Sequence, residues 1–284
     1  MTKTIIALLD GSAYGESVCD HAAWVAQTVG GRVELLHVLG RRDTGIAPAN
    51  LSGALGLGAK SHLLEELAAH DRERVHLAKE RGRAILDAAA THLSERGVTA
   101  AARLRNGDLL DAVHQVEADA DLIVIGKRGE AADFASEHLG SNLERIVRAA
   151  RKPVMVASRI FRPVERALIA FDGGESAMKA VRHIAAGRLF RGIPLHLVTV
   201  GTGDNRRTAS LAPAADELRA GGHDVTETVL AGEPEQAIAA YVTEQSISLL
   251  VMGAYGHSRI RSLIIGSTTT TMLRECHIPV MLFR

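Results

Sequence analysis

Short apolar runs alternate with longer amphipathic stretches along the whole chain. Runs rich in β-branched residues and bounded by Gly, Asp or Pro fall at residues 3–9, 32–39, 99–105, 121–126 and 153–158. Comparable runs follow at 166–171, 193–200, 224–229, 248–253 and 279–284. A run with no polar face reads as a strand covered on both sides of a parallel sheet. Stretches between them, such as 16–29 and 175–190, carry apolar residues at helical spacing. The βαβα alternation predicts parallel strands with helices on both faces and right-handed crossovers, five strands in each half.

The pattern also repeats as sequence. TKTIIALLDGS (2–12) returns as ERALIAFDGGE (165–175), RVELLHV (32–38) as PLHLVTV (194–200), DLIVIG (121–126) as SLLVMG (248–253), and KPVMVASR (152–159) as IPVMLFR (278–284). Four segments in the same order point to duplication of one domain. The expected units are residues 1–160 and 161–284, with a junction near 159–165, where Pro163 interrupts both neighbouring strands.

The halves differ chiefly after their second strands. Half one inserts a Gly- and Ala-rich loop from Gly45 to Gly58, then a helical run over 61–96 with Leu63, Leu64, Leu67, Val75, Leu77, Ile85, Leu86 and Leu93 among charges. That run is longer than an average helix and is expected to project past the sheet. A solvated crossover helix is favoured over a partner-binding arm; a further homodimer through it is left open.

Composition narrows the function. Thirty-three acidic residues balance thirty-three basic ones, which removes the footprint of a general nucleic-acid or anionic-membrane binder. The N-terminal segment meets an acid at Asp10 and lacks a signal peptide's apolar core, and no later run is long enough to span a membrane. Cys19 and Cys276, far apart and in no CxxC pattern, argue against disulfides or a thiolate metal site and fit a reducing cytoplasm; both are expected in helices. The thirteen histidines show no metal-ligand spacing, so no metal ligand is assigned.

In an open parallel sheet ligands bind beyond the carboxyl ends of the strands, where the strand order reverses. At the fourth strand exit of half two the chain reads Gly253-x-x-Gly256, nine residues, then Gly266-Ser267-Thr268 and a helical run over 269–275. The glycines permit close backbone approach, and Gly266-Ser267-Thr268 offers free N–H groups and hydroxyls at a helix N-terminus, where partial positive charge favours phosphate.

With this G-x2-G-x9-G-S loop the chain resembles the universal stress protein family, specifically its ATP-binding branch, over essentially its whole length. Supporting matches are Asp172 closing the first strand of half two, Val200 ending the second, the Gly232-Glu233-Pro234 turn after the third, and Met252-Gly253 ending the fourth. The resemblance implies two tandem five-stranded α/β domains, Rossmann-like and of the adenine nucleotide alpha hydrolase type, related by a pseudo-twofold axis. It implies that the terminal strands 153–158 and 279–284 pair with each other, making the chain an intrachain pseudo-dimer. It further implies that Ala170, Asp172 and Val200 surround adenine and ribose. Gly253, which follows Met252, would hold ribose and phosphates with Gly256, His257, Gly266, Ser267 and Thr268. The cofactor would be ATP, accompanied by Mg²⁺. With Arg259 and Arg261 nearby, phosphate contact and plain solvation of His257 both stay open.

Half one departs from the hallmark. Its loop, Gly126-Lys127-Arg128-Gly129 to Gly140-Ser141, is one residue too long and carries Glu130, Asp133 and Glu137, and the turn after its third strand, Gly107-Asp108, lacks the proline. Acids about 5 Å from a phosphate cost roughly 3 kcal/mol each unless Lys127 and Arg128 offset them. The balance tips slightly against nucleotide in half one. The positions that would carry it are Asp10, Val38, Gly126, Gly129, Gly140 and Ser141.

The leading expectation is an ATP-binding regulatory protein acting in stress response, with an unidentified protein partner. No P-loop, HxGH or SGGxDS signature is present, so hydrolysis would be slow at most. The alternative is a nucleotide-free scaffold that binds a protein partner through domain 1.

Overall fold

A computed structural model describes residues 2–40, 57–129, 141–201, 205–254 and 267–284. The first half runs β1 (Thr4–Leu9), α1 (Gly15–Val29), β2 (Arg32–Leu39), α2 (Leu57–Glu95), β3 (Ala100–Asn106), α3 (Leu109–Glu117), β4 (Leu122–Gly126), α4 (Ser141–Ala149) and β5 (Val154–Ala157). The second runs β6 (Ala167–Ala170), α5 (Glu175–Ala186), β7 (Leu195–Val200), α6 (Asn205–Ala220), β8 (Val225–Leu230), α7 (Pro234–Glu244), β9 (Leu249–Gly253), α8 (Ser267–Glu275) and β10 (Val280–Phe283).

The strands form one ten-stranded sheet in the order β3-β2-β1-β4-β5-β10-β9-β6-β7-β8. Neighbours pair in parallel except β5 and β10, which pair antiparallel with Val154 opposite Leu282, Met155 opposite Met281 and Val156 opposite Val280. The last strand of each half, an unpaired edge on its own, is thereby covered by the other half, as the resemblance implied.

Alternation along β1 shows how the sheet is covered. Ile5, Ala7 and Leu9 pack with residues of α1, α2, α5 and α6 on one face, and Ile6 and Leu8 with residues of α3, α4, α7 and α8 on the other. Helix ends follow local chemistry. Gly30 closes α1 in the left-handed conformation, and the Asp108 side chain accepts from the Leu110 N–H at 2.8 Å at the start of α3.

Two boundaries differ from expectation. Helix α5 stops at Ala186 rather than at 190, because Gly187 is extended and its N–H tightens the last turn onto the Ile184 carbonyl. Cys276 lies one residue past α8, outside any helix, whereas Cys19 is helical; both are free and buried. The 39-residue α2 is about 58 Å long. Its Gly82, Leu86, Ala89 and Leu93 are buried, whereas residues 65–70 are exposed and most of 71–81 remain so. Gly82 lets the helix lie tight on the sheet, since a Cβ there would come within 2.8 Å of Leu104 Cδ1. Half one thus carries a projecting crossover helix.

Residues 158–166 connect the halves and are tied to both. Ser17 Oγ donates to the Ser158 carbonyl at 2.7 Å, and Ser248 Oγ accepts from the N–H groups of Glu165 and Arg166. The ring of Phe161 meets buried His21 edge-on, centroids 4.9 Å apart.

Candidate functional site

In the second half the chain leaves β6, crosses to β7 on one side and returns to β9 on the other, so the order reverses at the β9–β6 step. Ala170 and Val200 are the last residues of β6 and β7, and Met252, next to last in β9, sits beside Ala170 in the register. The structure therefore gathers Ala170, Val200, Met252 and Gly253 at the carboxyl ends of three adjacent strands. Val200 and Met252 are buried in the sheet face covered by α7 and α8, and Ala170 packs against that cluster. They form a floor rather than an exposed wall.

Asp172 lies two residues beyond β6 and is held by the turn it shapes. Its Oδ1 accepts the Gly174 N–H at 2.8 Å, and Gly173 between them has a φ of 75°. That left-handed position favours glycine. Half one repeats the device: Asp10 Oδ1 accepts the Ser12 N–H at 3.0 Å across Gly11, whose φ is 77°. Each turn leads its chain from the first strand into the first helix of its half.

Gly253 faces the start of α5. A Cβ on it would lie 3.1 Å from Ser176 Cβ and 3.2 Å from the Ala177 nitrogen, so any side chain here presses the strand exit against the helix. Thr269 of α8 is buried, with its hydroxyl directed at the Gly253 carbonyl at 3.5 Å. Helix α8 begins at Ser267, two residues before the predicted start, and Thr268 is half-buried in its first turn. Gly256, His257 and Gly266 lie outside the described residues, as does the side chain of Ser267.

The equivalent positions of half one are built differently. Gly126 ends β4 as Gly253 ends β9, but its neighbour is Tyr14, the counterpart of Ser176. A Cβ on Gly126 would lie 2.7 Å from Tyr14 Cβ. The tyrosine is buried. Gly129 is drawn against Asp10, a Cβ there coming within 2.8 Å of Asp10 Oδ2. Val38, next to last in β2, is half-buried. Gly140, the Ser141 side chain and the acids Glu130, Asp133 and Glu137 fall outside the described residues.

Lys127, one of the two cations weighed against those acids, is engaged in the other half. Its Nζ donates to the carbonyls of Arg274 at 2.8 Å and Cys276 at 2.9 Å, at the C-terminal end of α8 in the other half. Burial pushes this ammonium down to about 8, opposed by the nearby Cys276 and aided by Arg128. Burial likewise pushes the Cys276 thiol up. Sequence spacing gave no hint of this contact, which spans 147 positions.

One polar cluster also escaped sequence reading. Glu16 and Asp20 of α1 and His92 of α2 bring ligand-type atoms within 4.8 Å of one another. Asp20 there is paired with His92 at 2.7 Å and with Arg96 at 2.9 Å, so the cluster ties the long helix to α1. No helix among the described residues is long and apolar enough to cross a membrane.

The match to known proteins agrees with this architecture. The family model described as "Universal stress protein family" covers residues 1–158 and 202–284. Universal stress protein Slr1230 of Synechocystis sp. is 38% identical over 286 residues, 99% of this chain and 100% of the relative. A universal stress protein structure from Archaeoglobus fulgidus superposes with a TM-score of 0.72 at 21% identity, over 99% of this chain and 98% of its own. One described as a putative universal stress protein from Pseudomonas aeruginosa does so at 0.64 and 14% identity, over 99% and 93%. With the duplicated turns at Asp10 and Asp172 and matches extending through both halves, the chain belongs to the universal stress protein family.

Proposed function

We propose that the second half binds ATP, or a closely related adenine nucleotide, and that the bound state serves regulation in a stress response. The observation that carries this reading is the convergence of Ala170, Val200, Met252 and Gly253 with the Asp172 turn at the point of strand-order reversal. Ala170, Asp172 and Val200 would face adenine and ribose. Gly253 would let backbone and phosphate approach, and the G-x2-G-x9-G-S segment, with Gly256, His257, Gly266, Ser267 and Thr268, would bring N–H groups toward phosphate at the start of α8. Mg²⁺ would arrive with the nucleotide, without an assigned protein ligand. No catalytic residue is assigned; ligand-dependent choice between conformations is the mode of action.

One nucleotide per chain follows. In half one Tyr14 stands against Gly126, Gly129 is drawn to Asp10, and Lys127 is committed to α8. Residues 1–160 and 161–284 act as the two units, the first supporting the second. Balanced charge and two free buried cysteines accord with a cytoplasmic protein. The projecting part of α2 favours a second role for half one as a scaffold for a protein partner.

Protein purified without added nucleotide, denatured and examined by mass spectrometry, should release about one adenine nucleotide per chain, and Gly266→Glu should release none while folding normally. Failure to recover nucleotide, together with no heat signal on titration with Mg²⁺–ATP, overturns the reading. Two nucleotides per chain would overturn the assignment of half one.

A further inference from the structure

Helix α8 joins two places that sequence keeps apart. Its N-terminus follows the glycine loop of half two, and its C-terminal carbonyls are held by Lys127, the residue that follows Gly126 in the corresponding loop of half one. Its nine residues span only about 14 Å, so the two ends belong to one short rigid rod. A cation at the carbonyl end complements the helix dipole, as an anion does at the amide end. The position is particular to half one: the counterpart of Lys127 in half two is Ala254, whose N–H instead bonds the Phe283 carbonyl at 2.7 Å. The opposite helix is capped from across the joint too, Arg284 donating to the Arg148 carbonyl near the end of α4. Each half thus anchors the last helix of the other.

We propose that Lys127 is a positioning residue for the nucleotide site of the opposite half, holding α8 by its carbonyl end so that the amide end is set for phosphate. This rests on the nucleotide reading given above for half two. Half one, which by that reading holds no nucleotide itself, thereby sets the affinity of its partner half. Loss of the anchor leaves the α8 terminus and the Arg274 and Cys276 carbonyls free to shift, and the ordering cost passes to the ligand. Coupling between two sites on one element is reciprocal, so bound nucleotide also tightens the Lys127 contact. Among the described residues, the groups around the ammonium are the Cys276 thiol, Arg128 and the two carbonyls.

The test is calorimetric titration of full-length protein with Mg²⁺–ATP for the native chain, Lys127→Met and Lys127→Arg, at pH 7 and pH 9. Lys127→Met should bind about three- to tenfold more weakly at pH 7, and Lys127→Arg should recover most of the loss. The native chain should weaken from pH 7 to pH 9 relative to Lys127→Arg, whose charge persists. Hydrogen exchange at residues 274–278 should slow on adding ATP to the native chain but not to Lys127→Met. Equal affinity of the native chain and Lys127→Met, with circular dichroism showing both folded, overturns the proposal and leaves the nucleotide site standing. No binding by the native chain overturns the nucleotide reading itself.

Discussion

Met155 lies directly opposite Met281 in the antiparallel step that joins the two five-stranded halves. Both side chains are buried, Met281 to 1% exposure, and they stand within the same core face as Ala157 and Phe283. The joint is therefore a continuation of the core and not a loose contact between units. Met281→Asp would place an unpaired carboxylate there, at a cost of about 3–5 kcal/mol. Urea unfolding followed by far-ultraviolet circular dichroism and by Trp24 fluorescence should shift to a lower midpoint, and the two transitions should separate as the halves lose their coupling. An unchanged midpoint would mean that the joint contributes little.

Most of this architecture is legible in the sequence because a strand covered on both faces leaves an unmistakable apolar run. All ten strands sit within two residues of their expected bounds. The element hardest to see was α6, where Pro213 falls inside the helix and argues against one. Pro213 is exposed between buried Leu211 and Ala214, so packing of the apolar face outweighs the lost hydrogen bond. The site divides in the same way. Strand-end residues such as Ala170 and Val200 were placed by motif and register, whereas the Lys127 contact with Arg274 and the meeting of His92 with Asp20 depend on tertiary approach that no local pattern encodes.

Removing the Asp172 carboxylate separates its turn role from its ligand role. Asp172→Ala loses one hydrogen bond to the Gly174 N–H, a destabilisation of about 1 kcal/mol. Asp172→Asn keeps an acceptor for the turn but not the charge. If the carboxylate contacts the nucleotide, both variants should weaken ATP binding about tenfold or more while only Asp172→Ala lowers the urea midpoint. Full ATP affinity in Asp172→Asn would confine the residue to shaping the turn.

Gly253→Val tests whether close approach at the β9 exit matters. A Cβ at this position would stand 3.1 Å from Ser176 Cβ and 3.2 Å from the Ala177 nitrogen, so the branched side chain must push α5 or the strand end outward. Overpacking of this kind costs about 1–3 kcal/mol, leaving the fold intact. Titration with Mg²⁺–ATP should show affinity reduced by at least tenfold. The matching change in half one, Gly126→Val, should lower stability against Tyr14 and reduce ATP affinity less than Gly253→Val does, through the neighbouring Lys127 alone. Equal losses of affinity from the two substitutions would contradict the assignment of the site to half two.

His21 gives the chain an acid sensitivity located at the connection between halves. The residue is fully buried, its Nδ1 lies 2.6 Å from the Ser17 carbonyl, Nε2 has no hydrogen-bond partner among the described residues, and its ring meets Phe161 of the connecting segment. Burial holds its protonation below the ordinary histidine range, outweighing the Ser17 hydrogen bond and the charge of Asp20, which both favour the proton. The unfolded chain therefore binds the proton more readily, and stability present at pH 7 falls as pH drops below about 6.5. His183 and His196 are shifted in the same direction, chiefly by burial, and add to the slope. His21→Leu, which removes the titrating group and needs no partner for Nε2, should unfold near the native midpoint at pH 7 and lose less stability between pH 7 and pH 5. Urea midpoints at the two pH values measure this directly, and a variant whose pH dependence matches the native chain would show that His21 is not the responsible group.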